Sequence, residues 1–314
     1  MTVKIIILII LFYVLGRSAD LAIFNLRKIA DKLGIKIFFL GLILGFLTSL
    51  PELAIGIQSL INNVPSLSFG NLLGGVVMLL TLVVGLNLIL NRQIETKNHK
   101  TFIIILCYFF LPLILGLDGS INFFESLILI GFYFSLVAFL YYQNNRKNDR
   151  DSAVVRQKNS GTVKEIMLFL LGVTGVLLMS DLIIRFTLDL LAQLPISTFV
   201  VGLVIFSFGT NFPEITVAVK AWIKGIKQLS MSNLIGSAMA NILILGVLSS
   251  IKSMTVRIDV SYYLLGIFSL LLFVVLFIFH RSHNTLSRRE GLVLVAMYVA
   301  FVGIQIAFDT VLNF

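Results

Sequence analysis

Charged residues, cysteine and histidine are all scarce in this chain of 314 residues. Only 12% of the residues are charged, whereas 58% are hydrophobic, and the mean hydropathy is +1.04. A soluble domain of this length has too little interior to hide so much apolar surface. The composition therefore excludes a soluble protein and indicates an integral membrane protein.

The few cysteines and histidines limit the chemistry that the chain can carry out. Cys107 is the single cysteine and lies inside an apolar run, so a disulfide framework within the chain is excluded. His99, His280 and His283 lie in polar connections with no cysteine or acidic cluster beside them, which predicts surface residues rather than a resident metal site. We expect no cofactor.

Basic residues outnumber acidic ones and give a formal net charge of +9. Such an excess could indicate nucleic-acid binding, but the lysines and arginines lie in short clusters between apolar segments. Membrane topology explains clusters of this kind better. The expected partners are therefore the lipid bilayer and small ions, not nucleic acid.

Apolar segments of about 20 residues, the length needed to cross a bilayer, occur ten times. The predicted spans are 3–25, 37–60, 67–90, 101–117, 121–142, 163–186, 196–219, 230–251, 260–280 and 290–312. The polar segment 143–162 is predicted to be a solvated linker between two five-helix halves, 1–142 and 163–314. The sequence thus predicts an all-α integral membrane protein with ten transmembrane helices.

The distribution of basic residues predicts the orientation of these helices. Of the 24 lysines and arginines, 19 lie in the connections after spans 1, 3, 5, 7 and 9. Because the basic side is cytoplasmic, we expect a protein of the cell (inner) membrane with a cytoplasmic linker and both termini outside. An odd number of spans in each half makes the two halves insert in opposite orientations, which is an inverted-topology repeat.

One motif occurs once in each half. The segment 47–52 reads LTSLPE and the segment 209–214 reads GTNFPE, with Glu52 and Glu214 separated by 162 positions. A carboxylate at bilayer depth costs at least about 2.5–3.5 kcal/mol, and proline breaks a helix. Two interrupted helices at corresponding places in two halves indicate the binding site of a transporter.

Other residues repeat in register with this motif. Asp20 and Gly41 recur as Asp181 and Gly202 after 161 positions, and the segment 70–74 (GNLLG) recurs as 232–236 (SNLIG) after 162. Gly74 and Gly236 are expected to allow close helix packing. Three matches in register support an internal repeat.

Glu52 and Glu214 are the only acidic residues near the middle of any predicted span. Ca²⁺ takes about six to eight oxygen ligands. Two ionised carboxylates would neutralise one divalent cation, whereas an empty site would favour a proton on at least one of them. The other candidate ligands are polar residues of the motif and of the helix that follows it in each half: Thr48, Ser49, Asn71, Thr210, Asn211, Asn233, Ser237 and Asn241.

Simpler interpretations exist for these polar residues. The two glutamates could form a structural hydrogen-bonded pair, although that would not explain a proline beside each. Asp20 and Asp181 are predicted to form local ion pairs, with Arg17 and Arg185 respectively one helical turn away. For Asn71 and Asn233, a cation ligand and an interhelical hydrogen bond remain equally open.

At these motifs the sequence resembles the cation/calcium antiporter superfamily, which comprises the sodium/calcium exchangers and their prokaryotic relatives, over nearly the whole chain. The resemblance implies ten helices in two inverted halves and exchange of Ca²⁺ for Na⁺ or H⁺ by alternating access. It also implies that Glu52 and Glu214 are the central Ca²⁺ ligands and that Thr48 and Thr210 contribute backbone oxygen.

The chain departs from the family pattern of Gly-Thr-Ser-x-Pro-Glu followed by Gly-Asn-x-x-Gly-Ser-x-x-x-Asn/Asp. Leu47 replaces the first glycine and Asn211 the second serine. Gly75 and Leu79 replace two oxygen donors of the first half, whose counterparts Ser237 and Asn241 remain. We therefore expect coupling to fewer Na⁺ ions, or to protons.

A secondary cation antiporter, functional as a monomer, is the leading interpretation. The alternative is a divergent membrane subunit or cation sensor that does not transport, which the loss of donors at Gly75 and Leu79 would favour. An enzyme is not expected, because the only matched central acids have a cation-binding context.

Overall fold

The computed structural model describes residues 2–32, 49–91, 93–95, 99–145, 162–191, 196–211, 214–215, 227–282 and 285–312. The helices of the first half are α1 Thr2–Lys32, α2 Leu50–Ile61, α3 Pro65–Met78, α4 Val84–Asn91, α5 His99–Leu115 and α6 Phe123–Asn145. Those of the second half are α7 Thr162–Leu191, α8 Thr198–Val201, α9 Ser207–Thr210, α10 Lys227–Ile251, α11 Val260–Ser282 and α12 Arg288–Leu312.

In the described part of the chain, two pairs of consecutive helices are joined by a wider, π-helical turn. Leu79–Val83 joins α3 to α4, and Gly202–Phe206 joins α8 to α9. In a π-helical turn each backbone N–H bonds to the carbonyl five residues back, and such turns occur frequently at functional sites. The sequence did not predict them.

Among the residues that the structure describes, six helical segments are long and apolar enough to cross a membrane. In the most apolar 18 residues of the segments 65–90 and 234–251, 83% and 72% are buried inside the protein, whereas the share in the other four is only 22–28%. The structure is therefore a helical, multi-pass membrane protein in which α3, α4 and α10 form the interior. The apolar side chains exposed on the outer helices face lipid.

Each predicted span contains helical residues wherever the structure describes it. Helix α1 continues to Lys32, beyond the predicted end of the first span at 25, and α7 continues to Leu191, beyond the predicted end of its span at 186. Nothing in those final turns breaks a helix, so both extend beyond their apolar segments. The second and seventh spans lie partly outside the described residues, and the total of ten stays a prediction.

The crossing of α3 with the segment 198–206 brings the two halves into backbone contact. A methyl group at Gly70 would meet the Phe199 carbonyl oxygen, and one at Gly74 would meet the Leu203 carbonyl oxygen. A methyl group at Gly202 would likewise meet the Leu67 carbonyl oxygen. Glycine is required at this crossing because the opposing atoms belong to the backbone and cannot rotate away.

Contacts between the two halves occur in reciprocal pairs. Helix α4 packs on α12 and, correspondingly, α10 packs on α6. At the first contact a Cβ on Gly85 would lie 2.8 Å from the Gly291 carbonyl oxygen, and at the second a Cβ on Gly246 would lie 3.1 Å from the Leu129 Cβ. Gly246 follows Gly85 by 161 positions, and Gly291 follows Leu129 by 162.

Short strands in the connections follow the same reciprocity. The strand β1 Gln93–Glu95 pairs antiparallel with β4 Thr285–Ser287, and β2 Ser120–Ile121 pairs antiparallel with β3 Met254–Thr255. The connection after α4 thus meets the connection before α12, and the connection before α6 meets the connection after α10. The sequence did not predict these strands, since two or three residues are too few to show an alternating pattern.

Helices α1 and α7, the first of each half, pack along each other. Small residues form the contact: a Cβ on Gly172 would lie 2.6 Å from the Ala22 amide nitrogen, and one on Gly175 would lie 2.7 Å from the Ser18 hydroxyl oxygen. Close packing through small residues is typical of helix pairs in membranes.

Candidate cation site

The two Pro-Glu motifs have the same backbone conformation where both are described. Ser49 has φ −91° and ψ 17°, and Asn211, its equivalent in the second half, has φ −89° and ψ 9°. The Leu53 amide donates to the Ser49 carbonyl at 3.0 Å, and the Ile215 amide donates to the Asn211 carbonyl at 3.4 Å. The sequence repeat is therefore also a structural repeat at this point.

Glu52 lies in the first turn of α2, directly after Pro51. Proline is tolerated in a first turn because its missing N–H would have had no partner there. The first turn also carries the positive end of the helix dipole, which favours a carboxylate. Pro213 and Thr48, predicted parts of the site, lie outside the described residues.

Glu52 and Glu214 are both buried, with 0% and 2% of their surface exposed. None of their four oxygens has a hydrogen-bond partner in the described part of the chain. Buried carboxylates are normally paired or hydrogen-bonded, so this arrangement leaves acceptors for a cation or for protons.

Thr210 and Asn71 connect the two halves beside these glutamates. The Thr210 hydroxyl donates to the Asn71 Oδ1 atom at 3.2 Å, and both side chains are buried. The Asn71 Nδ2 atom has no partner among the described residues. Asn71 therefore makes an interhelical hydrogen bond, one of the two roles left open by the sequence.

Asn211 turns its amide nitrogen, not its oxygen, toward the first half. The Nδ2 atom donates to the Ser207 carbonyl at 2.8 Å and approaches the Thr210 hydroxyl at 3.4 Å. A Cβ built on Gly75 would lie 3.0 Å from this nitrogen and 2.5 Å from the Asn241 Nδ2 atom. The structure thus brings Gly75, Asn211 and Asn241 together.

The remaining predicted ligands differ in how far the structure describes them. Ser49, Ser237 and Asn241 are buried, and neither amide atom of Asn241 has a partner in the described ranges. Asn233 belongs to α10, but its side chain is outside the described part.

Sequence reasoning missed Ser68, a buried residue whose hydroxyl has no partner in the part of the chain that the structure describes. Ser68 precedes Asn71 by three positions and therefore shares its helix face. The signal was present in the sequence, because Ser68 recurs as Ser230 after 162 positions, as Asn71 recurs as Asn233.

The two other repeated acids do not join this cluster. Asp20 forms an ion pair with Arg17 at 3.7 Å, and Asp181 forms one with Arg185 at 3.0 Å. Both pairs connect residues one turn apart on one helix, which confirms their predicted local role.

Within the described residues, no group of three or more His, Cys, Asp or Glu side chains could hold a metal ion. A cation bound between Glu52 and Glu214 would therefore need hydroxyl, amide or backbone oxygens to complete its shell. The buried neighbours supply donors of these kinds.

Comparison with known proteins identifies the family. The family model described as "Sodium/calcium exchanger protein" matches residues 3–142 and 164–307. An uncharacterized membrane protein of Methanocaldococcus jannaschii, MJ0091, is 26% identical over 301 residues, which cover 93% of each chain.

Two solved structures share the fold. The sodium-calcium exchanger NCX_Mj soaked with Na⁺ and Sr²⁺ has a TM-score of 0.65 at 23% identity, and the match covers 96% of this chain and 99% of that chain. The H⁺/Ca²⁺ exchanger CAX has a TM-score of 0.71 at 15% identity, over 96% of this chain and 84% of that chain. The chain therefore belongs to the sodium/calcium exchanger protein family, as its repeated motifs predicted, and its relatives are ion exchangers rather than enzymes.

Proposed function

We propose that the chain is a secondary antiporter that exchanges Ca²⁺ for Na⁺ or H⁺ by alternating access around Glu52 and Glu214. The observation that carries the proposal is the pair of buried carboxylates whose four oxygens lack hydrogen-bond partners among the described residues. Membership of a family of cation exchangers supports antiport as the class of activity.

Electrostatics favours a divalent cation as the substrate. Two neighbouring buried carboxylates repel each other, and removing each charge from water costs several kcal/mol unless it is compensated. One Ca²⁺ ion supplies two positive charges between them and accepts oxygen ligands at variable geometry. The activity requires no resident cofactor under this proposal.

The same electrostatics gives the coupling between substrate and counter-ion. When Ca²⁺ leaves, the carboxylates cannot both stay ionised and unpaired in a buried site, so Na⁺ ions or protons must replace it. Both counter-ions have precedent in the fold, because one solved neighbour is named a sodium-calcium exchanger and another an H⁺/Ca²⁺ exchanger.

Alternating access requires two halves that can exchange roles, and we propose that the chain is an inverted repeat of two five-helix units, 1–142 and 163–314. The matched backbone angles of Ser49 and Asn211 support this proposal. So do the reciprocal contacts Gly85–Gly291 and Gly246–Leu129, which an approximate two-fold axis would interchange.

We further propose that the protein acts as a monomer in the cell (inner) membrane, with both termini outside and the linker 143–162 in the cytoplasm. A cysteine introduced at Asn148, in a Cys107→Ser background, should react with an impermeant maleimide only after the membrane is permeabilised. The reason is the concentration of basic residues on one side. Labelling of intact cells to the same extent as permeabilised cells would show that the linker lies outside and that the proposed orientation is wrong.

Uptake of radioactive Ca²⁺ into proteoliposomes tests the proposed activity. We expect uptake when an outward Na⁺ gradient or an outward H⁺ gradient is imposed, and the gradient that drives it identifies the counter-ion. Liposomes without protein give the background. Ca²⁺ binding by the purified protein without uptake under either gradient would instead indicate the cation sensor that the sequence left as the alternative.

A further inference from the structure

The contact between Gly75 and two asparagine amides differs from its counterpart in the other half. The repeat relates Gly75 to Ser237 and Asn211 to Ser49, so the pair Gly75 and Asn211 corresponds to the pair Ser237 and Ser49. Both pairs have the same number of side-chain heavy atoms. In one pair all of these atoms belong to Asn211, whereas in the other they are divided between two hydroxyl-bearing side chains.

The glycine is what makes room for the amide. A Cβ on Gly75 would lie 3.0 Å from the Asn211 Nδ2 atom and 2.5 Å from the Asn241 Nδ2 atom, closer than side chains normally pack. Asn211 and Asn241 are each only 1% exposed. The space that a side chain at position 75 would use is therefore filled by amide groups from the second half.

A hydrogen bond fixes the orientation of the Asn211 amide. The Ser207 backbone carbonyl accepts the bond at 2.8 Å, and because a carbonyl can only accept, the atom facing it is the nitrogen. The nitrogen therefore also faces Gly75, and its N–H groups carry partial positive charge. Such donors cannot coordinate a cation, whereas the hydroxyl oxygens of Ser49 and Ser237 can.

We propose that Asn211 is a specificity-determining residue that removes one of two cation positions related by the repeat. The position that the repeat assigns to Ser49 and Ser237 accepts a monovalent cation, and the equivalent position at Gly75 and Asn211 does not. This inference rests on the proposed function, since it names the counter-ion positions beside the same two glutamates.

The test uses Na⁺-dependent thermal stabilisation of the purified protein, with choline as the ionic-strength control. The variants are Asn211→Ser and the double variant Gly75→Ser with Asn211→Ser, which places a hydroxyl on both sides as in the other half. The Asn241 amide has no hydrogen-bond partner among the described residues and can therefore rotate away from the new side chain at position 75. The matched control is Asn25→Ser, because the Asn25 Nδ2 atom makes the same bond, to the Leu21 carbonyl at 2.8 Å, and Asn25 is buried in α1, which carries neither Pro-Glu motif.

At a Na⁺ concentration tenfold above Kd, Na⁺ should raise the Tm of the double variant by about 2–4 °C more than it raises the Tm of the parent. In proteoliposomes its Hill coefficient for Na⁺ should rise by about one. Asn25→Ser should match the parent in its response to Na⁺. The single variant Asn211→Ser only removes atoms, and its Na⁺ stabilisation should equal or exceed that of the parent.

Two results would overturn the proposal. The first is a double variant whose Na⁺ dependence equals that of the parent. The second is a loss of Na⁺ stabilisation in Asn211→Ser, which would make the Asn211 oxygen a cation ligand. Stabilisation by Na⁺ is measured without transport, so an absence of Ca²⁺ uptake in the parent would reject the proposed function and leave this test intact.

Discussion

Replacing Glu52 or Glu214 by glutamine is expected to abolish Ca²⁺ transport in proteoliposomes. Each change removes one of two buried negative charges and leaves the other without its compensating cation. Breaking a buried charge pair costs about 3–5 kcal/mol, which corresponds to a loss of about two to four orders of magnitude in affinity. The measurement is the initial rate of Ca²⁺ uptake under the gradient that drives the parent.

The matched control for these variants is Asp181→Asn. It makes the same acid-to-amide change in a membrane-spanning helix, but Asp181 pairs with Arg185 on a partly exposed surface, where such pairs contribute about 1 kcal/mol or less. We expect this variant to retain transport. If Glu52→Gln and Glu214→Gln both kept the parent's Ca²⁺ flux, the carboxylates would not be the binding groups.

Replacing Gly202 by alanine is expected to lower Tm by about 5 °C or more and to slow transport at least about tenfold. The added methyl group would meet the Leu67 backbone carbonyl oxygen and would lie 2.9 Å from the backbone nitrogen of Asn71. Because these are backbone atoms, α3 must move away from the segment 198–206. That movement separates Asn71 from Thr210, which now lie 3.2 Å apart.

Gly303→Ala is the control for this change. No described atom lies within 4 Å of the position that its methyl group would occupy, and Gly303 is exposed on α12. Its Tm and transport should match those of the parent. Equal Tm values for the two variants would show that the two halves do not depend on close packing at Gly202.

Much of the fold could be predicted because its signals are local. Long apolar segments predict helices, and the exact recurrence of Pro-Glu after 162 positions predicted that the two motifs are equivalent. The shared backbone angles of Ser49 and Asn211 agree with that prediction. Asp20 and Asp181 were also predictable, since their arginine partners lie one turn away on the same helix.

The rest depends on contacts between distant parts of the chain. From the sequence alone, Gly75 indicates only the loss of an oxygen donor. Nothing near it in the sequence shows that Asn211 and Asn241 fill the space beside it. The amide orientation of Asn211 depends on the Ser207 carbonyl, a backbone atom that every residue type would provide. The π-helical turns likewise have no sequence pattern of their own.

Calcium binding to the purified protein, measured by isothermal titration calorimetry, tests the two-glutamate site most directly. The parent should bind one Ca²⁺ ion per chain at this site, and both Glu52→Gln and Glu214→Gln should lose that binding, because one divalent ion neutralises two carboxylates. Binding of Ca²⁺ to both variants with the parent's stoichiometry and affinity would contradict a site built on Glu52 and Glu214.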